Sequence, residues 1–93
     1  MSRLTDRVAL VTGAASGIGQ GIAIAFAREG ADIVVADRSP EAKAAETIAG
    51  IKKHGRQALF IQADVADEAS VEKMAKAALA RFGRVDILVN NAG

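Results

Sequence analysis

Four short apolar runs punctuate this chain, separated by stretches in which apolar residues recur every three or four positions. The runs are "RVALVT" (7–12), "DIVVAD" (32–37), "ALFIQ" (58–62) and "VDILVN" (85–90). Each is nearly continuous in apolar residues rather than alternating. That pattern predicts strands covered on both faces, as in a parallel sheet. Between them, Ile18, Ile22, Ala25 and Phe26 fall at helical spacing. A second helix is predicted over 40–54, with Ala44, Ala45, Ile48 and Ile51 facing inward. A third presents a stripe of Val71, Met74, Ala75, Ala78, Leu79 and Phe82. Ser39 before Pro40 reads as a cap and first-turn pair, and Asp67 as the cap of the third helix. Gly30, Gly55 and Gly83 stand where each helix should stop in a left-handed residue before the next strand. The order is β-α-β-α-β-α-β, and right-handed crossovers make it a parallel α/β sheet with helices on both faces.

Composition narrows the chemistry. At 93 residues the chain has room for one small domain. A chain of this size buries roughly 60–68% of its unfolded surface, enough for one thin core. With three Phe and no Trp or Tyr, that core must be built from Ala, Val, Ile and Leu. The net charge of +1 is spread over interspersed acids and bases, which argues against a nucleic-acid groove or a membrane surface. The absence of Cys excludes disulfides, thiolate catalysis and Cys-ligated metal. The opening "MSRLTDRVAL" has no apolar signal core, and no apolar run is long enough to span a bilayer, so the expected location is cytoplasmic.

The stretch "TGAASGIGQG" (12–21) joins the first strand to the first helix. Gly13 allows a sharp turn off the strand. Gly17 and Gly19, lacking Cβ atoms, let a diphosphate approach the backbone and let the helix pack close to the sheet. Free N–H groups and the dipole at the helix start favour an anion. The spacing is not G-x-G-x-x-G, because Ile22 takes the last Gly slot counted from Gly17. It is not a Walker A loop either, because no Lys-Ser/Thr pair follows. The bland alternative is a tight turn without a ligand.

Asp37 ends the second run, where a carboxylate accepts hydrogen bonds from ribose hydroxyls and repels a 2′-phosphate. Arg38 beside it could instead meet that phosphate or stack on adenine. With Asp37 in front of it, and no Lys or Arg in the glycine loop, NAD is expected over NADP. At the third strand tip, "ADVAD" brings Asp64 and Val65 to the same edge, where they could read adenine or simply form a turn.

Together these residues resemble the classical short-chain dehydrogenase/reductase family along the whole chain. The motifs carrying the likeness are "TGAASGIG" (12–19), "DV" (64–65) and "NNAG" (90–93). The resemblance implies a Rossmann-type sheet, with the diphosphate against Gly13, Ser16, Gly17, Ile18 and Gly19. It implies that Asp37, beside Arg38, holds the adenosine ribose and that Asp64 and Val65 flank adenine. It further implies that Asn90, Ala92 and Gly93 line the cofactor next to the ribose, and that Thr12 steadies the fourth-strand turn. The family's reaction is hydride transfer between a nicotinamide cofactor and a carbonyl/alcohol pair, using a Ser, a Tyr acid/base and a Lys.

Those catalytic groups are not legible here. There is no Tyr, and Ser2, Ser16, Ser39 and Ser70 lie at the N-terminus, in the phosphate loop or at helix starts. His54 reads as a solvated residue near a helix C-terminus. Glu41/Glu46 and Glu68/Glu72 read as solvated ion-pair surface. No residues have metal-ligand spacing.

Residues 1–93 therefore read as the N-terminal half of a dinucleotide-binding domain, truncated after the fourth strand and inactive by itself. Its fourth strand would offer an edge for a homo-oligomer or a complementing chain. The competing readings are a nucleotide-binding or assembly module with no enzyme attached, and an S-adenosylmethionine methyltransferase core. The latter usually carries an acid where Thr12 stands.

Overall fold

The computed structural model describes residues 3–91. Its strands are β1 (Val8–Thr12), β2 (Asp32–Asp37), β3 (Ala58–Gln62) and β4 (Ile87–Val89). They pair in parallel in the order β3-β2-β1-β4. Helices α1 (Gly17–Arg28), α2 (Ala45–Lys53) and α3 (Glu68–Phe82) make the crossovers. This is the Rossmann-type half-sheet the apolar runs predict. Its glycine loop lies at the carboxyl end of β1, where the strand order switches from β2 to β4.

β1 and the middle of β2 are buried on both sides, which accounts for their unbroken apolar sequence. Strand alternation divides them between two cores. Ala9, Val11, Ile33 and Val35 face α1 and α2, where Ala23, Ala27 and Ile51 complete the packing. Val8, Leu10, Val34 and Ala36 face α3, through Met74 and Ala78.

The helices depart from the predicted faces in instructive ways. α1 buries Gly19, Ala23 and Ala27, not the larger residues beside them. Small residues let the helix come close to the sheet, while Ile22 and Phe26 pack at its flanks and Ile18 is 76% exposed. The second helix is not continuous from residue 40. Pro40 is extended, a 3-10 turn spans Glu41–Ala44, and α2 starts only at Ala45. Ser39 is not its cap, because Pro40 precedes the 3-10 turn and Ala44 precedes α2, neither with a side-chain cap. Ala45 is exposed, and the inward positions are Ala44, Thr47 and Ile51, with Ile48 half-buried against the same core. In α3 the buried line is Met74 and Ala78, flanked by Val71 and Phe82. Ala75 and Leu79 lie one position further round, about 100° away, and are exposed.

The predicted stops hold. Gly30, Gly55 and Gly83 have φ of +105°, +76° and +78°. Asp67 caps α3 by accepting from the Ala69 N–H at 3.1 Å. β4 is shorter than the run over 85–90, with three residues paired to β1 alone. Its approach is tied down by Asp86, whose N–H donates to the Val8 carbonyl at 2.8 Å and whose carboxylate accepts from the Val8 N–H at 2.9 Å.

Candidate functional site

The chain leaves β1 through Gly13, at φ +64°, and enters α1 through Gly17, at φ +59°. Both are backbone states that cost an L side chain of order 1–2 kcal/mol. Gly19 is required for a different reason: a Cβ there would lie 2.1 Å from the Gly13 carbonyl oxygen. Ser16 precedes the helix in an extended conformation and makes no side-chain cap. The first-turn amides of α1 are therefore not capped by Ser16, as an anion site needs.

The corner of the loop is held from β2. The Ala14 N–H donates to the Ala36 carbonyl at 3.1 Å, extending the β1–β2 contact beyond the strand. The Ala15 N–H donates to Asp37 Oδ2 at 3.0 Å, and the Ser39 N–H to Asp37 Oδ1 at 2.9 Å. Asp37 thus sits between two loops with one amide on each oxygen. Partial burial pushes its carboxyl up, but the hydrogen bonds from Ser39, Ala15 and Arg38 outweigh that and hold it below the ordinary range. It is a carboxylate at neutral pH.

These elements enclose a cleft of about 370 Å³. Gly13, Ala36, Asp37, Arg38, Asp64 and Val65 all line it, so five of the predicted site residues converge. Arg38 is exposed, and its carbonyl is anchored by the Gln62 side chain at 2.9 Å. Asp64 also has a turn role: its carboxylate accepts from the Ala66 N–H and its own N–H donates to Ser70 Oγ, both at 2.9 Å. Ser16, Gly17, Ile18 and Gly19 lie on the other side of Gly13, at the start of α1. The exposure of Ile18, unexpected for a core position, fits a residue that meets a ligand.

At the switch point, Thr12 joins β1 to β4. Its hydroxyl accepts from the Asn91 N–H at 3.0 Å and lies 3.3 Å from both the Val89 carbonyl and Asn90 Oδ1. The Asn91 side chain reaches the Gly13 carbonyl at 3.4 Å, directly beneath Gly19. Asn90 itself is exposed. Ala92 and Gly93 lie outside the described residues.

Two residues were missed as site elements. Asn91 falls within the "NNAG" whose backbone the resemblance sets along the cofactor, but its side-chain contact with the Gly13 carbonyl is not predicted. Thr47, fully buried in α2, donates to the Ala14 carbonyl at 2.8 Å. Its signal was present in the spacing, three after Ala44 and four before Ile51, but a hydroxyl residue does not register in an apolar pattern.

The arrangement offers amide donors for an anion, acceptors for hydroxyl groups and a cleft of ligand size. Among the described residues no His or Lys lines the cleft, and no group of three or more His, Cys, Asp or Glu could hold a metal. No helix among them is long and apolar enough to cross a membrane.

Known proteins share this fold. The family model described as short chain dehydrogenase matches residues 7–93. Oxidoreductase UcpA of Escherichia coli K12 is 49% identical over 94 residues, covering 100% of this chain and 35% of UcpA. The crystal structure of a hydroxysteroid dehydrogenase from Escherichia coli superposes with a TM-score of 0.91 at 42% identity, covering 98% of this chain and 38% of that one. A short chain dehydrogenase from Mycobacterium paratuberculosis, bound to NAD, gives 0.92 at 32% identity, covering 99% and 38%. The chain thus spans little more than a third of the length of these relatives and corresponds to their N-terminal portion. On its glycine loop, its sheet and the match over nearly all its length, the chain belongs to the short-chain dehydrogenase family.

Proposed function

We propose that this chain holds NAD in the cleft at the carboxyl ends of β1, β2 and β3. It would serve as the cofactor-binding part of a cytoplasmic oxidoreductase acting on a carbonyl/alcohol pair. The observation that carries this reading is the placement of Asp37. Its carboxylate lines the cleft, fixed by the Ala15 and Ser39 amides, and presents an acceptor where a ribose hydroxyl would donate. The negative charge disfavours a 2′-phosphate, which selects NAD over NADP. The NAD held by the relative from Mycobacterium paratuberculosis supports the same ligand class.

The residues fit the cofactor by their donor set and shape. The amides at the start of α1 receive the diphosphate, with Gly19 too closely packed on Gly13 for any side chain. Asp64 and Val65 flank adenine, and Asn90 lines the cofactor next to the ribose. When bound, the cofactor supplies a hydride or accepts one. Proton transfer to the substrate oxygen is assigned to no residue of this chain. The free edge of β4 pairs with a second copy or with a complementing chain.

Calorimetric titration tests the reading. NAD⁺ should bind saturably and NADP⁺ about tenfold more weakly, a difference of about 1.4 kcal/mol. Asp37→Asn, which keeps the size and one acceptor oxygen, should narrow that gap. No heat with either nucleotide would overturn the proposal.

A further inference from the structure

We propose that Thr47, on the far side of the loop from the cleft, is a positioning residue for diphosphate binding. The inference rests on the cofactor reading above. Thr47 is fully buried in α2, where a hydroxyl is costly unless paired. It donates to the Ala14 carbonyl at 2.8 Å and lies 3.4 Å from the Ala15 carbonyl. A hydroxyl has one proton, and the shorter contact takes it.

The peptide unit between Ala14 and Ala15 is planar and trans, so its C=O and N–H point in opposite directions. The C=O is held by Thr47 and the N–H by Asp37 Oδ2 at 3.0 Å. One peptide plane is thereby clamped at both ends, by α2 and by the tip of β2. The next carbonyl, that of Ala15, is also turned toward Thr47, so the Ser16 N–H is directed away from α2. Ser16 leads straight into the first turn of α1, where no side chain caps the helix. Thr47 therefore sets which side of the loop shows amides and which shows carbonyls. A flip of the next peptide, between Ala15 and Ser16, would turn a carbonyl oxygen to the side that now shows the Ser16 N–H.

Three proteins test the clamp: wild type, Thr47→Val and Thr47→Ser. Valine keeps the bulk and removes the proton donor; serine restores the donor. Each is titrated by NMR with adenosine, which occupies the Asp37 and Asp64 side of the cleft, and with ADP, which adds the diphosphate. Thr47→Val should weaken ADP binding about tenfold, the loss expected for a buried carbonyl left unpaired. Adenosine binding should stay within about twofold on the same reasoning. Thr47→Ser should restore ADP binding. In the ligand-free protein, the Ala15 amide should exchange faster in Thr47→Val and at the wild-type rate in Thr47→Ser. Thr47→Ala serves in place of valine if the valine protein does not fold. Unchanged ADP affinity in the valine protein overturns the proposal, as does an equal loss for adenosine, which would mark Thr47 as a general stabiliser. A wild-type protein that binds neither ligand overturns the cofactor reading and the positioning role together.

Discussion

The two faces of the sheet are covered to very different depths. On one, α1 and α2 lie side by side, and Val11, Ile33, Val35, Thr47 and Ile51 are fully buried beneath them. On the other, α3 stands alone: it seals Leu10, Val34 and Met74, yet leaves Leu79 50% and Leu88 65% exposed. Leu88 is the register partner of Leu10, so the face that is closed over β1 is open over β4. The glycine-loop wall of the candidate cleft is built by the α1/α2 side, and residues 63–66, leading into α3, line the rest. The glycine loop takes its anchors from β2 through Asp37 and from α2 through Thr47. A rigid loop requires a sealed layer beneath it, and the α1/α2 face supplies that here.

The sharpest way to break this contrast is to cut matched holes in the two cores. Ile33→Ala, beneath α1 and α2 with strands on both sides, should cost about 4 kcal/mol. Met74→Ala, on the buried line of α3, should cost about 2 kcal/mol, because a thinly covered site collapses more readily. Urea midpoints measure both, and equal losses would show the faces to be equally packed. Gly19→Ala comes next. Its Cβ would meet the backbone oxygen of Gly13 at 2.1 Å and the Asn91 side chain at 2.7 Å. Neither the turn nor β4 can yield without moving the other, so about 3 kcal/mol of destabilisation is expected. For a domain of this size that lowers Tm by roughly 12–24 °C. Gly17→Ala meets no neighbour and is opposed only by its positive φ, so its loss should be smaller.

Much of this was legible in sequence. The four apolar runs located every strand among the described residues, and β2 and β3 to the residue. The glycine stops and the Asp67 cap were legible because each follows from local backbone chemistry. What failed was the choice of inward face on the helices. Apolar size pointed to Ile18 and Leu79, whereas the buried line of α1 follows its smallest residues. Periodicity records what could be buried; close approach to a sheet depends on what is small. The convergence of Gly13, Asp37, Arg38, Asp64 and Val65 was readable from strand tips alone. Thr47 and Asn91 were not, because their roles depend on a tertiary contact with one carbonyl each.

Acid should separate two anchors that look alike. Asp37 and Asp86 both tie neighbouring strands together, and both carboxyls are held below their ordinary range. For Asp86 the main cause is the hydrogen-bonded Arg84, aided by the Val8 amide and opposed by desolvation. For Asp37, burial works upward and is outweighed by the amides of Ser39 and Ala15. A carboxyl lowered in the folded state contributes stability that is present above its unfolded value, near pH 3.9, and lost as pH falls through the folded value. Acid unfolding should therefore be shallower in Asp37→Asn and in Asp86→Asn than in wild type. Added salt should reduce the Asp86 share, part of which rests on the ion pair with the exposed Arg84, and leave the Asp37 share in place.

The smallest expected effect concerns the open face itself. Leu88→Lys places a charge on β4 where the leucine is already 65% exposed. If that face meets only water, the cost in unfolding free energy should stay within about 0.5 kcal/mol. The charge should also suppress any concentration-dependent association measured by sedimentation, since an apolar free edge templates pairing with another chain and a lysine there discourages it. Leu79→Lys on α3, exposed beside the same face, should behave alike. A loss of 2 kcal/mol or more in either variant would mean that the leucines are covered in solution by a second molecule. The asymmetry between the faces would then belong to the isolated chain, and the cleft side would no longer be the only sealed layer of the protein.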